Sequence, residues 1–317
     1  MGRYVEVESG IRLWVQEDGA EHAPVLLLVM GANSSGLAWP GRFVAELARH
    51  HRVVRYDHRD TGRSTASFDR APYGLVDLAR DAVAVLDAVE APRAHVVGMS
   101  MGGMLTQLLL LDHPERLLSA ALFCAQALPA PPASEHPLAA ARATLPGPDE
   151  RLRRLWERMA ASHGGEAETA LRVEQWRLYN GGVLPFEEEK FRRMEERLAR
   201  GRARDRGQGG SGGPHTRASQ TGLARADELA RVRTPSLVVE APQDLVVPPA
   251  HARWLAGTLP GARLVHVPGM GHLLHPAVTA RLAAEILAHT AAASTDSPGA
   301  SYRGTRARYL AAPPRDV

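Results

Sequence analysis

A serine able to act as a nucleophile stands at the centre of the pentapeptide Gly-Met-Ser-Met-Gly at residues 98–102. The apolar residues 94–97 before it predict a buried strand, and the apolar run 103–111 after it predicts a buried helix. A serine at such a sharp turn projects its hydroxyl above the sheet, and the flanking glycines allow the crowded backbone. The helix N-terminus adds a positive dipole where an oxyanion would form. We therefore predict that Ser100 is the nucleophile of an acyl transfer; the alternative is a glycine-rich turn with an idle serine.

A nucleophilic serine needs a general base, and the base needs an acid that orients it. In enzymes with this strand-turn-helix serine, the three residues follow in the chain order Ser, Asp, His. Asp244 follows the predicted strand 235–240, and His272 ends the loop after the predicted strand 263–267. Both residues lie just past the C-terminal ends of strands, where open α/β sheets carry their sites. The sequence therefore predicts Asp244 as the acid and His272 as the base.

Other residues compete for these two roles. His266 lies inside a strand pattern and His95 opens the strand before the serine, which favours structural roles for both. His275 follows His272 closely and precedes a proline, so it either is the base or lines the entrance of the site. Asp244 has the alternative role of forming a turn, which aspartate commonly does.

Strands and helices alternate over residues 1–127 and again over residues 227 to about 292, which predicts a parallel sheet with helices on both faces. Residues 128–226 break this alternation with a Pro/Ala-rich loop followed by helical patterns. The predicted strands of the first part are 25–30, 52–56, 94–99 and 117–123, and its helices lie near 40–49, 75–90 and 102–113. The predicted helices of the interrupting part lie near 149–162, 166–179 and 185–204, and a last helix covers 277–291.

Two segments have compositions typical of flexible chain. Residues 207–214 are too rich in glycine for a packed element. Residues 293–317 have the composition of a disordered terminus. We therefore expect neither segment to contribute to the core.

The composition of the 317 residues is that of a globular enzyme, with 44% hydrophobic and 23% charged residues. No apolar run has the length needed to cross a bilayer. The first residues enter a strand at once and lack the apolar region of a signal peptide. Cys124 is the single cysteine and is predicted to be a buried thiol, so no internal disulfide is expected. These features predict a cytoplasmic protein without a membrane partner.

The net charge of +3 and the isoelectric point near 9.3 raise the question of nucleic-acid binding. Lys190 is the only lysine, and the arginines of residues 192–206 alternate with acidic residues, as on a solvated helix. No nucleic-acid motif accompanies them, so no nucleic-acid partner is expected. The sequence also lacks a His/Cys cluster at zinc spacing and a glycine-rich dinucleotide fingerprint. We therefore expect no metal and no organic cofactor.

Several motifs together resemble one superfamily. Over residues 1 to about 292 the chain resembles the α/β-hydrolases, and within them the methylesterases of anthracycline biosynthesis, of the aclacinomycin methylesterase type. The matching segments outside the helical part are Val29-Met30-Gly31-x-Asn33, residues 55–64 (Arg-Tyr-Asp-His-Arg-Asp-Thr-Gly-Arg-Ser), Pro72-Tyr73-Gly74, and residues 81–87, 94–98 and 268–272. The matching segments within the helical part are Trp176-Arg177 and Val183-x-Pro185-Phe186.

This resemblance implies an α/β-hydrolase fold, with a mostly parallel twisted sheet, helices on both faces and a helical lid formed by residues 128–226. It implies an oxyanion hole made by the backbone N–H groups of Ala32 and Met101. The lid also carries aromatic side chains that could stack on a flat polycyclic substrate, although a tryptophan on a helix often packs only against its neighbours. The residues considered for substrate contact are Trp39, Trp176, Tyr179, Phe186 and His275.

The activity implied is hydrolysis of the methyl ester of an anthracycline-type aromatic polyketide to the acid and methanol, with a small-molecule ester as the only partner. Three other readings stay open. The same three residues serve enol-lactone hydrolases and cofactor-free haloperoxidase-like enzymes, and a ligand-binding homologue could keep the fold without turnover. In the third, the chain is inert because the unusual glycine-rich segment of the helical part disrupts the pocket. The sequence leaves the oligomeric state open.

Overall fold

Eight strands form one sheet in the computed structural model, which describes residues 2–132, 134–162, 165–204 and 213–295. The strands lie in the order β1-β2-β4-β3-β5-β6-β7-β8. Their bounds are β1 (Gly2–Glu8), β2 (Ile11–Asp18), β3 (Val25–Val29), β4 (Arg52–Tyr56), β5 (Ala94–Met99), β6 (Leu117–Phe123), β7 (Ser236–Glu240) and β8 (Arg263–His266).

The sheet is mostly parallel. Strand β2 pairs antiparallel with β1 and with β4, and every other neighbouring pair is parallel. Parallel pairing needs a crossover between strands, and helices supply these crossovers. The predicted α/β-hydrolase fold is confirmed, and the carboxyl ends of β3, β5, β6, β7 and β8 meet at one edge of the sheet.

Ten α-helices complete the described part of the chain. Five of them, α4 to α8, interrupt the alternation between β6 and β7, where the lid is expected. Their bounds are α1 (Gly41–Leu47), α2 (Leu75–Ala88), α3 (Met101–Asp112), α4 (Pro137–Ala143), α5 (Glu150–Ala160), α6 (Gly165–Asn180), α7 (Glu188–Arg204), α8 (Pro214–Arg217), α9 (Ala250–Thr258) and α10 (Pro276–Thr295).

Side chains of one strand serve two cores, because successive residues of a strand point to opposite faces. In β3, Leu27 joins the core that packs against α2, α3 and α9, whereas Leu26 and Leu28 join the core that packs against α1 and α10. All five residues of β3 are buried. This explains why its sequence is continuously apolar rather than alternating.

The helical insertion contains the three predicted helices and two further helices, α4 and α8. Helices α5, α6 and α7 cover the three predicted stretches, and α4 forms where a Pro/Ala-rich loop was expected. Pro137 at the first helical position explains α4, since its fixed backbone angle suits a helix start. Most of the glycine-rich segment, residues 207–212, lies outside the described residues, whereas Pro214 begins the short helix α8.

The last helix is longer than predicted. Helix α10 continues to Thr295, and Ala293 is buried within it, so the first residues of the expected flexible tail are helical. Alanine is the best helix former, and residues 291–293 are all alanine, which favours this continuation. Residues 296–317 lie outside the described residues. None of the described helices combines the length and the apolar character that a membrane span requires.

Three histidines are buried near the amino ends of the strands. His51, His95 and His289 are each less than 9% exposed, and the rings of His51 and His95 meet edge-on with centroids 5.5 Å apart. Each ring has one buried nitrogen without a hydrogen-bond partner among the described residues. Burial lowers the pKa of all three, and lowers that of His95 to about 3.

We expect these histidines to make the fold sensitive to acid. The pKa of each of these histidines is lower in the folded protein than its ordinary value, so protonation favours the unfolded chain. The fold therefore keeps its full stability above about pH 6.5 and loses stability as the pH falls below that value. His95→Asn keeps a partner for the Ser119 hydroxyl, which lies 2.8 Å from Nδ1, and removes the titrating ring. The free energy of unfolding in urea should fall between pH 7 and pH 5 by about 1–2 kcal/mol less in this variant than in the wild type. An equal fall in both proteins would contradict the expectation.

Candidate active site

The turn between β5 and α3 holds Ser100 in an unusual backbone conformation. Its φ is 56° and its ψ is −122°, which puts a non-glycine residue in a sparsely populated region. The amide of Ser100 donates to the carbonyl of Phe123 on β6 at 3.1 Å, and its carbonyl accepts from the amide of Gly103 at 2.9 Å. The sharp strand-to-helix turn expected from the sequence is therefore present, and backbone hydrogen bonds hold it.

Two glycines of the pentapeptide are required by close packing. A Cβ on Gly98 would lie 2.3 Å from Oγ1 of Thr106, and a Cβ on Gly102 would lie 2.1 Å from the carbonyl oxygen of Val29. Helix α3 therefore approaches β5 and the end of β3 at distances that no side chain permits. This contact places the N-terminus of α3, and with it Ser100, directly above the sheet.

Ser100, His272 and Asp244 form one hydrogen-bonded chain. Nε2 of His272 lies 3.1 Å from Oγ of Ser100, and Nδ1 lies 2.8 Å from Oδ2 of Asp244. Because a carboxylate only accepts, Nδ1 carries the proton and Nε2 is free to accept the proton of the serine hydroxyl. His272 is 8% exposed and Asp244 is 2% exposed, so both polar groups depend on this pairing.

The second oxygen of Asp244 fixes its carboxylate. Oδ1 accepts from the backbone amides of Val246 and Val247, both at 2.8 Å. The turn-forming role weighed for this aspartate is therefore real, and it coexists with the hydrogen bond to His272. Two amides on one oxygen leave the other oxygen aimed at the imidazole.

Two chain segments next to Ser100 contain the residues that the resemblance predicts for an oxyanion hole, Ala32 and Met101. Met101 is the first residue of α3, and the amides of the first helical turn have no partner within a helix. The end of β3 runs against the serine, since a Cβ on Gly31 would lie 3.2 Å from Cβ and 3.6 Å from Oγ of Ser100. Ala32 follows Gly31 in this loop and is exposed. The structure thus places the loop that contains Ala32 against Ser100, and Met101 directly follows Ser100 at the start of α3.

The loop at residues 57–64 supports the loop that follows β3. The buried carboxylate of Asp57 accepts from the hydroxyl of Ser35 at 2.6 Å, the amide of Gly36 at 2.8 Å and the amide of Arg63 at 2.8 Å. His58 contacts the same loop through the carbonyl of Met30. These charged and polar side chains satisfy backbone groups that no strand or helix pairs.

Cys124 is buried beside the acid and the base, as the sequence predicts for its burial. Its Sγ lies 3.5 Å from the carbonyl of Gly271, and its sulfur shares a cluster within 4.8 Å with polar atoms of Asp244 and His272. Burial and the charge of Asp244 raise the pKa of the thiol well above its ordinary value. The thiol therefore stays protonated next to the carboxylate. The sequence carries no local pattern that signals this contact.

Among the aromatic residues considered for substrate contact, Tyr179 lies closest to the base. Its ring meets that of His272 edge-on, with centroids 5.3 Å apart. Its carbonyl accepts from the amide of Leu273 at 3.1 Å, and its hydroxyl accepts from the amide of Gln175 at 3.1 Å. Burial raises the pKa of Tyr179 to about 12, so the hydroxyl stays neutral. The C-terminal end of α6 therefore rests on the histidine loop.

Trp176 and Phe186 pack mainly within the lid. Both rings stack on Phe191 of α7, at centroid distances of 5.5 Å and 4.9 Å. The indole N–H of Trp176 donates to Glu195 at 2.8 Å. These contacts support the alternative weighed for the lid aromatics, which is packing against neighbouring helices.

Trp39 does not reach the site. It is 1% exposed and lies in the core beneath the sheet, stacked on Phe43 at 5.7 Å and edge-on to Phe123 at 6.0 Å. The residue lies near the loop after β3 in sequence, but its ring belongs to the core cluster that includes α1 and α10. The reason is that the core formed by α1 and β6 offers a large apolar contact area.

The competing histidines have other partners. Nδ1 of His275 accepts from the amide of Ala277 at 3.1 Å and so caps the start of α10. His266 is exposed and lies 3.8 Å from Glu240, and His95 belongs to the buried group described above. Only His272 among these four contacts Ser100 in the described part of the chain.

The histidine loop tolerates no side chain at Gly271. A Cβ there would lie 2.4 Å from the carbonyl oxygen of Tyr179 and 2.8 Å from the carbonyl carbon of Asn180. We expect Gly271→Ala to push α6 away from His272, to destabilise the fold by about 1–3 kcal/mol and to lower kcat at least about tenfold. Gly257→Ala is the matched control, because that helical glycine faces open space and should gain stability. Unchanged kcat and Tm in Gly271→Ala would refute this packing argument.

Comparison with known proteins assigns the fold to a family. Residues 24–276 match the model of the family described as the alpha/beta hydrolase fold. Among solved structures, the chain is similar to the esterase RhEst1 from Rhodococcus sp. ECU1013, with a TM-score of 0.70 over 92% of this chain and 98% of that one. At 19% identity that likeness concerns the fold alone.

Two curated proteins are similar over most of their length. The chain is 43% identical to rhodomycin D methylesterase DauP of Streptomyces sp. (strain C5) and 42% identical to rhodomycin D methylesterase DnrP of Streptomyces peucetius. Each alignment covers 90% of this chain and 96% of the relative. With the family match over residues 24–276, these similarities show that the chain belongs to the α/β-hydrolase family, as its motifs predict.

Proposed function

We propose that the protein is a serine carboxylesterase that hydrolyses the methyl ester of an anthracycline-type aromatic polyketide to the carboxylic acid and methanol. The observation that carries the reaction class is the hydrogen-bonded chain from Ser100 through His272 to Asp244 at the carboxyl edge of the sheet. The substrate class is supported by the two rhodomycin D methylesterases, which are 43% and 42% identical to this chain.

Acylation begins with proton transfer from Ser100 to His272. As Nε2 accepts the proton, Oγ attacks the ester carbonyl carbon and the carbonyl oxygen becomes an oxyanion. The amides of Ala32 and Met101 donate hydrogen bonds to that oxyanion, and Asp244 stabilises the imidazolium. His272 then returns the proton to the methoxy oxygen, the carbon–oxygen bond breaks, and methanol leaves the acyl-enzyme.

Deacylation uses the same groups with water as the nucleophile. His272 removes a proton from water, and the resulting attack on the acyl carbon forms a second oxyanion at the same amides. The bond to Oγ breaks, the serine regains its proton from His272, and the carboxylic acid departs. Every proton and electron pair in these steps is supplied by ester, water and the three side chains, so the proposal includes no metal and no organic cofactor.

The lid is the part of the molecule that selects the acyl group in this proposal. The half-buried aromatic ring of Tyr179 on α6 lies against the imidazole of His272, which supports a role for the lid near the acyl group. Binding energy from a large flat acyl group raises the rate only when it persists in the transition state. The proposed partner is accordingly a small-molecule ester, with neither nucleic acid nor membrane involved. The location proposed is the cytoplasm, the usual compartment of a chain with a lone buried cysteine.

The assignment of the base predicts different effects at two neighbouring histidines. His272→Ala should reduce kcat on the order of 10⁴-fold, because the serine loses its proton acceptor. His275→Ala is the matched control: it removes only a helix cap and should change kcat less than about threefold. Ser100→Ala combined with His272→Ala should be no slower than either single variant, since the two residues act as a unit. Steady-state methanol release measures the wild type and all four variants, and greater loss in His275→Ala than in His272→Ala would reverse the assignment.

The substrate class predicts a large preference among esters. The ratio kcat/KM for an anthracycline methyl ester should exceed that for p-nitrophenyl acetate by about two orders of magnitude or more, since a polycycle contributes binding remote from the reacting bond. Methanol release measures the anthracycline ester, p-nitrophenol release measures the acetate, and ring opening measures an enol lactone. Halogenation is assayed separately, and Ser100→Ala is the blank throughout. Comparable values for both ester classes would leave only a general serine esterase. Turnover of the enol lactone alone would favour the lactonase alternative.

A further inference from the structure

Two buried imidazoles hold both ends of the loop that carries the proposed oxyanion donor. This loop is the tetrapeptide of residues 30–33, which leaves the end of β3 and passes the serine. Nε2 of His58 lies 3.0 Å from the carbonyl oxygen of Met30 at its start. Nδ1 of His215 lies 2.9 Å from the amide nitrogen of Asn33 at its end. Nothing in the local sequence pattern joins these two histidines to the loop.

His215 reaches the loop from the far end of the helical insertion. It lies on α8, is 5% exposed, and its Nε2 lies 2.8 Å from the carbonyl oxygen of Arg59. The side chain of Asn33 joins the same contact, accepting from the amide of His215 at 3.2 Å and donating to the hydroxyl of Thr216 at 3.1 Å. Three hydrogen bonds therefore join Asn33 to α8, one from its backbone amide and two through its side chain.

The partners of the two rings fix their protonation. The carbonyls of Met30 and Arg59 only accept, so Nε2 of His58 and Nε2 of His215 each carry a hydrogen. The amide of Asn33 only donates, so Nδ1 of His215 is bare and the ring is neutral. Burial lowers the pKa of both histidines, and lowers that of His58 to about 3, which agrees with two neutral rings. The rings meet edge-on with centroids 5.5 Å apart.

The two contacts act on the peptide groups that flank the proposed donor. The carbonyl of Met30 belongs to the planar group that ends at Gly31, and the amide of Asn33 belongs to the planar group that begins at Ala32. The N–H of Ala32 lies in the single peptide plane between them. Since peptide groups are rigid planes, holding the two outer planes leaves the middle one little freedom to rotate.

We infer that His215 is a positioning residue for the oxyanion hole, which it serves by accepting the amide of Asn33 and so fixing the direction of the Ala32 N–H. This inference rests on the proposed function. The left-handed φ of Asn33, 54°, is a conformation that costs energy and needs support, and the bond from its amide to His215 provides it. The last segment of the lid insertion thus builds part of the catalytic machinery of the core.

Two substitutions of His215 separate its hydrogen bonds. His215→Asn keeps an acceptor near the position of Nδ1 and loses the bond to Arg59. His215→Gln keeps a donor near the position of Nε2 and loses the acceptor for Asn33. We expect His215→Gln to lower kcat about 10- to 100-fold with KM within about threefold, because the loss falls on transition-state stabilisation. His215→Asn should stay within about threefold of the wild type in both parameters.

The decisive readout is the rate of Ser100 labelling by a fluorophosphonate, which needs the oxyanion hole but no anthracycline. Labelling of His215→Gln should be about tenfold slower or more, and His95→Asn is the control for loss of a buried histidine elsewhere. Labelling of His215→Gln at the wild-type rate, or equal slowing in His215→Asn, would overturn the inference. If the wild type is labelled but releases no methanol from an anthracycline ester, the proposed substrate is wrong. The labelling rates of the two His215 variants still test the role of His215 in that case. If it neither labels nor hydrolyses any ester, the serine mechanism itself fails.

A measurement on the wild type keeps the inference testable even where a variant does not fold. The amide hydrogen of Asn33 should exchange with solvent at least about 100-fold more slowly than an unstructured amide, although the residue is exposed. Nitrogen-15 spectra of the ring should show His215 as the neutral form with hydrogen on Nε2. Fast exchange of the Asn33 amide, or a charged ring at neutral pH, would overturn the inference.

Discussion

The strained backbone at Ser100 is the constraint on which the rest of the site depends. A non-glycine residue at φ 56° and ψ −122° costs on the order of 1–3 kcal/mol, so its surroundings must hold it there. They do so through its hydrogen bond to Phe123 and through the close contact of Gly98 and Gly102 with neighbouring backbone and side-chain atoms. As a result, Ser100 lies at the N-terminus of α3, directly after the carboxyl end of β5.

Around this turn, buried polar groups replace regular secondary structure. The loops that leave β3 and β4 pair with each other through the carboxylate of Asp57 and the ring of His58. Arg59 joins the same region to α2 through two bonds of 2.7 Å to Asp81. Unpaired buried polar groups are costly, so a network whose members satisfy one another specifies one loop conformation more sharply than apolar packing does. The positions of the reacting groups therefore depend on buried side chains that take no part in the proposed reaction steps.

The helical insertion contacts both halves of the proposed machinery. Tyr179 at the end of α6 rests on His272, and His215 on α8 holds the oxyanion loop through Asn33. Because the chain leaves the core after β6 and returns before β7, both contacts belong to one excursion of the chain. Substrate selection by the lid and the chemistry of the core are thus not independent, and changes within the lid are expected to alter kcat as well as KM.

The sequence by itself determined the sheet, its helices and the three residues of the hydrogen-bonded chain. Apolar runs, turn residues and the pentapeptide around Ser100 are local signals, and the order of Asp244 and His272 follows from the order of strands. Local signals did not predict that Trp39 packs in the core or that Trp176 packs within the lid. A sequence pattern shows that a side chain is apolar, but it does not show which surface that side chain packs against. Local signals predicted that Cys124 is buried but not that it lies beside Asp244 and His272, and they did not identify the contacts of His58 and His215. Only the tertiary structure brings His215 to Asn33, 182 positions apart, since packing of buried surfaces decides which distant polar groups meet.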